Sequence, residues 1–97
     1  MAQRARQVLT PEGHRLDLRH AFIRRTDLER ADLRGANLAH ADLTNASARF
    51  ADFTDAILDG TILRGVDLTG ARISAAQLER AILDERTILP DHLHASR

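Results

Sequence analysis

The chain has 97 residues, 43% of them hydrophobic, and its fourteen arginines balance its fourteen acidic residues. This balance leaves no net charge to attract nucleic acid or an anionic membrane. The chain contains no tryptophan, tyrosine or lysine, and it contains no cysteine, which excludes a disulfide framework, a thiolate nucleophile and a cysteine zinc site. A chain this short forms a single domain near the lower limit of independent stability, so regularity or self-association should supply part of its stability.

Residues 1–15 are predicted to form an N-terminal cap segment. Val8 and Leu9 precede a turn over Thr10-Pro11-Glu12-Gly13, and this stretch lacks the apolar run of about 7 to 15 residues that is typical of a signal peptide. No segment approaches the roughly 18 apolar residues of a membrane span. We therefore expect a soluble, cytoplasmic protein.

Residues 16–85 divide into fourteen consecutive five-residue units without insertion or deletion. The third residue of each unit is large and apolar in thirteen of the fourteen, Ala48 being the exception, and the first residue is Ala in ten. The second residue is Asp or Asn in seven units, at Asp17, Asp27, Asp32, Asn37, Asp42, Asp52 and Asp67.

A period of five fits neither a helix nor a plain strand. In a helix, at about 100° per residue, the leucines would wind around every side, and in a strand they would alternate between two faces. Three extended residues followed by a bend would keep the first and third residues of each unit on one inner face. Such a chain coils, and stacked coils bury their inward residues against one another, as in a solenoid.

The units Ala31-Asp32-Leu33-Arg34-Gly35, Ala36-Asn37-Leu38-Ala39-His40 and Ala41-Asp42-Leu43-Thr44-Asn45 closely resemble the motif of the pentapeptide-repeat family. The resemblance covers 70 of 97 residues. It implies an all-β fold, a right-handed quadrilateral parallel β-helix with four units per coil, about 3.5 coils and short terminal caps. The four-sided geometry follows from the resemblance, and the period alone does not give it.

Residues 86–97 are predicted to form a C-terminal cap and tail, because the period of five fails after Glu85. We expect Ile88, Leu89 and Pro90 to fold over the last coil, since an open end would expose core and unpaired backbone. From His92 onward we expect a mobile tail.

No catalytic, cofactor-binding or metal-binding residue is predicted, and no cofactor is expected. His20 and His40 should lie one above the other at a corner, but a zinc site needs three or four protein ligands, so we interpret them as solvated. The repeated aspartates resemble the paired carboxylates of a hydrolase, yet they recur with the repeat. We expect them to hydrogen-bond locally to turn backbone.

Apolar residues at outward positions are the main irregularity and form the predicted interaction surface. These residues are Phe22, Phe50, Ile57, Ile62 and Ile82. Phe22, Ile62 and Ile82 should share one side with Asp42, Ile57 should lie on the adjoining side, and Phe50 should lie at a corner elsewhere. Two interpretations remain open, a contact surface and scattered surface hydrophobic residues of no functional meaning.

The favoured hypothesis is a non-enzymatic scaffold that binds a protein partner or its own copy as a homodimer. We expect no direct nucleic-acid binding, no membrane association and no small-molecule substrate. The alternative is a DNA-mimicking protein that binds a topoisomerase such as gyrase. Length and charge disfavour it, because the repeat carries twelve acidic residues against nine arginines, whereas duplex DNA of equal length, about 17 Å, carries about ten negative charges.

Overall fold

The computed structural model describes residues 16–94, and the predicted N-terminal cap and residues 95–97 lie outside this range. The described backbone is a stack of layers joined by parallel β-bridges between single residues, most of them twenty residues apart. We number the layers in chain order as residues 16–35, 36–55, 56–75 and 76–90. The bridges form four columns: Asp17, Asn37 and Ile57 in the first, Phe22, Asp42, Ile62 and Ile82 in the second, Asp27, Ser47, Asp67 and Ile88 in the third, and Asp32, Asp52 and Arg72 in the fourth.

Two kinds of backbone hydrogen bond repeat with the sequence. Within a layer, the first residue of a unit donates to the third residue of the unit before it, as Ala41 N does to Leu38 O at 2.9 Å. Between layers, Leu38 N donates to Ile57 O at 2.9 Å, and Ile57 N donates to Ala36 O at 2.9 Å. Each unit therefore closes its own turn and pairs with the layers on either side, which is the bonding of a repeat β-helix.

The fifth residue of each unit forms the corner with a left-handed backbone. From residue 20 to residue 70 all eleven fifth positions have φ between +57° and +70°, and seven of them are not glycine. These residues are His20, Arg25, Arg30, His40, Asn45, Phe50 and Asp55. Because this region of φ disfavours residues with a Cβ atom, packing between layers must stabilise these corners.

The core consists of the first and third residues of the units. Leu38, Leu43, Leu63 and Phe53 are fully buried, together with the alanines beside them. Thr61 replaces one of the inward alanines and is also fully buried, and its hydroxyl donates to Leu38 O at 2.7 Å. Three of the four leucines of the first layer, Leu16, Leu18 and Leu28, are only partly buried, so the core is best formed in the second and third layers.

Helix α1, Ala75–Arg80, interrupts the bridges in the fourth layer, where the sequence predicts one more extended unit. Ser74 caps the helix: its hydroxyl accepts the Gln77 N–H at 3.0 Å, and the Gln77 side chain accepts the Ser74 N–H at 2.9 Å. This reciprocal capping box favours a helix start. The residues of α1 also have high helix propensity, so local preference prevails over the five-residue pattern here.

The chain returns to the ladder after α1, at Ile82, which pairs with Ile62. It then gains one residue, because Ile88 pairs with Asp67 twenty-one positions earlier. Pro90 is buried and precedes helix α2, Asp91–His94. The prediction of a mobile tail from His92 is wrong for this segment, because the His92 ring lies 3.0 Å from Ile73 O and Leu93 packs against the core.

Candidate functional site

The side chain at the second position of each extended unit points outward from the coil. All seven Asp and Asn residues at this position accept a hydrogen bond from the backbone N–H two residues later, at 3.0 to 3.2 Å. The prediction that these side chains bond to turn backbone is therefore confirmed. Because each carboxylate or amide is engaged in its own turn, these residues are part of the scaffold.

Isoleucine replaces this Asp or Asn at three places in the second half of the stack, and the structure brings those places together. Ile62 and Ile82 are neighbours in the second column, and Ile57 occupies the first column in the same layer as Ile62. Ile57 is 44% exposed and Ile82 is 38% exposed, while Ile62 is half-buried. Three of the five predicted surface residues thus lie on adjoining columns of neighbouring layers.

Ile88 is a further exposed isoleucine on the third column, and sequence reasoning placed it in the cap instead. It is 47% exposed and occupies the fourth layer, as Ile82 does. In the sequence, Ile88 is an apolar residue one position after an expected second position. The extra residue before it shifts Ile88 out of the period of five, so the sequence does not show that it pairs with Asp67. We refer to Ile57, Ile62 and Ile82, on the adjoining first and second columns, together as the isoleucine face.

Phe22 and Phe50, the other two predicted surface residues, lie apart from the isoleucine face. Phe22 is in the first layer of the second column, with Asp42 between it and Ile62, and it is 76% exposed. The Arg24 guanidinium lies 5.7 Å from the centre of its ring. Phe22 is therefore an exposed aromatic residue at the opposite end of the same column.

Phe50 is a corner residue, and its ring is already packed between neighbours. The Arg30 guanidinium lies 4.8 Å from the ring centre, and that of Arg49 lies 5.6 Å away. On the next layer, a Cβ atom at Gly70 would collide with the ring. The Phe50 ring thus stacks on Gly70 and binds two guanidinium groups by cation–π attraction.

Ion pairs distribute both signs of charge over the surface of the described layers. Six arginine–aspartate pairs occur among residues 16–94, with N···O distances from 2.7 to 3.7 Å. Because arginines lie beside the repeated carboxylates, the described surface has no uninterrupted acidic stripe of the kind that a DNA mimic needs.

Hydrogen bonds from neighbours lower the pKa of several of these carboxyl groups. The Arg19 side chain and backbone N–H lower the pKa of Asp17 to about 2. Hydrogen bonds from Thr44 lower the pKa of Asp42, assisted by the charge of Arg24. These carboxylates remain ionised at neutral pH and support the turns.

At two further aspartates, hydrogen bonds lower the pKa although partial burial acts to raise it. Burial raises the pKa of Asp67, but hydrogen bonds from Thr69 and Arg49 outweigh it and the pKa is lowered. Burial acts in the same direction on Asp84, where hydrogen bonds from Gly65 and Arg86 outweigh it and lower the pKa. Both residues serve the packing of the third and fourth layers.

The two corner histidines stack as the sequence predicts. The rings of His20 and His40 are 5.3 Å apart at an angle of 12°. Within residues 16–94 no group of three or more His, Cys, Asp or Glu side chains is arranged to hold a metal ion. None of the described helices is long and apolar enough to cross a lipid bilayer.

An open groove of about 1250 Å³ runs along the fourth column and the C-terminal segment. Phe50, Ile73 and Leu93 contribute apolar surface, while Arg72 and Asp91 contribute opposite charges. It has no enclosed apolar pocket of the kind that usually binds a small molecule.

The layered bridges, the corner residues and the inward leucines define a solenoid protein built from five-residue repeats. The family model for pentapeptide repeats matches eight copies over residues 14–47 and 49–84. The chain belongs to the pentapeptide-repeat family, as the sequence predicts.

Among solved structures, the chain is similar to a pentapeptide repeat protein, Rfr23, from the cyanobacterium Cyanothece 51142. The TM-score is 0.71 and the sequence identity is 31%, over 76% of this chain and 50% of that one. The chain thus matches half the length of this relative. No curated protein matches it.

Proposed function

We propose that this protein is a non-enzymatic scaffold whose isoleucine face binds a protein partner or a second copy of the chain. As part of the proposal, residues 16–85 form a right-handed quadrilateral β-helix of about 3.5 coils, seventy residues at twenty per coil, with α1 on one side of the last coil. Residues 1–15 and 86–97 are the terminal segments.

The observation that carries this proposal is the loss of the turn-capping side chain at the isoleucine face. Where the second position is Asp or Asn, the side chain accepts the N–H two residues later, as Asp42 does from Thr44 at 3.0 Å. Isoleucine at positions 57 and 62 has no such acceptor and adds apolar surface. A hydrogen bond of this kind contributes about 0.5 to 1.5 kcal/mol, so the scaffold is less stable with isoleucine there, which favours a binding role.

The apolar character and the surroundings of the face fit the centre of an interface. Specific interfaces bury about 800 Å² per partner, with an apolar centre and a polar rim. The isoleucine face supplies the apolar centre, and the ion pairs Arg80–Asp59 and Arg86–Asp84 lie near it along the chain. Arginine is enriched in interfaces relative to the rest of the surface.

The scaffold interpretation is also supported by how the hydroxyl groups are used. Thr44, Thr54 and Thr69 each donate to the aspartate two residues earlier, at 2.5 Å. The hydroxyls of Thr61 and Thr87 donate to backbone carbonyls. These five hydroxyl groups therefore support turns and contacts between layers, as structural groups of a scaffold do.

The test compares Ile62→Asp with Ser47→Asp. Both substitutions place an aspartate at a second position, next to one aspartate (Asp42) at position 62 and between two (Asp27 and Asp67) at position 47. The control therefore carries at least as much charge repulsion within its column, and only the first substitution alters the isoleucine face. We expect Ile62→Asp to retain the fold and to lose partner binding and self-association. Affinity capture with mass spectrometry and light scattering measure these two properties.

Ser47→Asp should behave as the unmodified protein in both measurements. If Ile62→Asp captures the same proteins and keeps the same mass in solution as the unmodified chain, the isoleucine face is not the binding surface and the proposal is wrong. Circular dichroism and thermal unfolding of both variants separate a loss of binding from a loss of fold.

A further inference from the structure

Among the third-position residues from Leu18 to Leu68, one buried backbone N–H group lacks the hydrogen bond that the others make. From Leu18 to Leu68 there are eleven third positions, and ten of them donate to the second-position carbonyl of the next layer. Leu63 N, for example, donates to Ile82 O at 2.7 Å. Leu58 is the exception: it is 1% exposed, and its N–H has no acceptor among residues 16–94.

Helix α1 is the reason, because it contains Gln77, whose carbonyl would be the acceptor in a regular layer. Most buried backbone N–H groups are paired, and an unpaired one is costly enough to require an explanation. A second arrangement of the fourth layer, in which the Leu58 N–H is hydrogen-bonded, would remove this cost.

The register of the chain permits that second arrangement. Arg72 pairs with Asp52 and Ile82 pairs with Ile62, both at the regular spacing of twenty residues, so the segment that contains α1 has the same length as the corresponding segment of a regular layer. Ala76-Gln77-Leu78-Glu79-Arg80 also fits the five-residue motif, with Ala first and Leu third. An exchange between helix and extended unit would leave the bridges on either side in place.

The Gln77 side chain already takes the place of a backbone donor. In a regular layer, the second-position N–H donates to the first-position carbonyl before it, as Ile57 N does to Ala36 O. One layer later, Ala56 O instead accepts from Gln77 Nε2 at 2.9 Å, and Phe53 O accepts from the same atom at 2.7 Å. Ala56 O can therefore be bonded in both arrangements.

We propose that residues 75–80 form a two-state element that exchanges between α1 and an extended pentapeptide unit. In the extended state, Gln77 N donates to Ala56 O and Leu58 N donates to Gln77 O. The Gln77 side chain then faces solvent in the first column next to Ile57. The exchange changes the surface that the fourth layer presents beside the isoleucine face.

The balance between the two states depends on Ala75 and on the capping box. Every fifth position from residue 20 to residue 70 has a left-handed backbone, and the extended state requires the same of Ala75. Alanine is disfavoured there, whereas it is well suited to the first position of α1. The helix predominates for that reason, together with the Ser74–Gln77 bonds.

Two opposing variants follow. In Ala75→Gly/Gln77→Asn, glycine accepts the left-handed corner, and asparagine caps its own turn as Asn37 does, so this variant favours the extended state. Ala75→Pro favours the helix, because proline suits its first position and its fixed φ of about −65° excludes the left-handed corner.

Nuclear magnetic resonance distinguishes the two states. In the unmodified protein we expect relaxation dispersion at residues 75–80 and at the Leu58 amide. In Ala75→Gly/Gln77→Asn, the Cα shifts of this segment should become extended and hydrogen exchange at Leu58 should slow by about tenfold or more. In Ala75→Pro the dispersion should disappear and the shifts should stay helical.

The Leu38 and Leu63 amides serve as internal controls, because their bonds to the next layer are present in both states. The proposal is wrong if the unmodified protein shows no dispersion and Leu58 exchange does not change in the double variant. It is equally wrong if the segment of the double variant gives random-coil shifts with Leu58 still unprotected. These outcomes do not depend on any binding partner.

Discussion

The second and third layers and the C-terminal segment, residues 74–94, are held together in different ways. In the former, backbone groups pair with backbone groups at regular intervals, as Leu43 N does with Ile62 O. In the C-terminal segment, side chains bond directly to the backbone of the layer before. Gln77 bonds to Phe53 O and Ala56 O, Thr87 to Leu63 O, and the Asp84 carboxylate accepts from Gly65 N.

The difference shows what a regular sequence contributes to a solenoid. Where the five-residue pattern is kept, any residue with an N–H and a carbonyl extends the ladder, so outward side chains are free to vary. Where the pattern breaks, the same carbonyl groups need specific side chains at specific distances. The C-terminal segment should therefore tolerate substitution of its polar residues poorly, and the middle layers should tolerate loss of core volume poorly.

The largest expected effect is loss of core volume in the middle layers. Leu43 is fully buried, whereas Leu83 is only partly buried at the edge of the core. We expect Leu43→Ala to lower the free energy of unfolding by about 3 to 5 kcal/mol, and Leu83→Ala by about 2 kcal/mol or less. Urea unfolding of the two variants measures this, and equal losses would remove the distinction between the two regions.

A smaller effect is expected at the corners, which stack from layer to layer in the middle of the molecule. A Cβ atom at Gly60 would lie 2.5 Å from His40 Nδ1, on a backbone with φ of +69°. We expect Gly60→Ala to cost about 1 to 3 kcal/mol, from backbone strain and the collision with the ring.

The double variant His40→Ala/Gly60→Ala separates the two causes, because it removes the ring and leaves the strain. Thermal unfolding of both single variants and the double variant forms a complete cycle. If the two losses simply add, the ring does not constrain Gly60.

Two hydroxyl groups that donate to backbone carbonyls of the preceding layer allow the regions to be compared with the same substitution. The Thr61 hydroxyl donates to Leu38 O, which also accepts from Ala41 N. The Thr87 hydroxyl donates to Leu63 O and accepts from Asp84 N. We expect Thr87→Val to cost about 1 to 2 kcal/mol and Thr61→Val about 1 kcal/mol or less.

The difference arises because Thr87→Val leaves a backbone N–H without its acceptor, while Leu38 O keeps a second donor. Chemical unfolding of the two variants provides the comparison. A larger loss for Thr61→Val would mean that the C-terminal segment does not rely on its side chains.

The smallest effect is the acid dependence of stability. The pKa values of Asp17, Asp42, Asp67 and Asp84 are lower in the folded protein than the ordinary value of 3.8, so the unfolded chain binds protons more readily. Their stabilising contribution is complete above about pH 5 and decreases as the pH falls through 4 toward the lowered values, about 2 for Asp17. Unfolding midpoints from pH 5 to pH 2 measure this decrease.

Asparagine variants locate the acid dependence within the molecule. Asn can still accept the turn N–H, as Asn37 does, but it does not titrate. Asp42→Asn and Asp84→Asn should each make the midpoint less dependent on pH between 4 and 2. A slope unchanged in both variants would contradict the assignment.

The repeat β-helix and the burial of the leucines could be predicted from the sequence, because almost every five-residue unit has a large apolar third residue and most have alanine first. The structural role of the aspartates could be predicted because they recur with the repeat. Of the predicted surface residues, the structure brings together Ile57, Ile62 and Ile82, and it separates Phe22 and Phe50. The position of Phe50 follows from Arg30 and Gly70, which are twenty residues away on either side and become neighbours only once the layers stack.

The sequence by itself determined which residues turn inward and where each layer bends, since these follow from spacing and residue size within a unit. Only the tertiary structure decided the end of the stack. There Ala75–Arg80 becomes a helix in place of an extended unit, one added residue brings Ile88 opposite Asp67, and residues 91–94 fold back as α2. At these places local helix preference, layer register and burial compete, and their balance depends on contacts with the layer beneath.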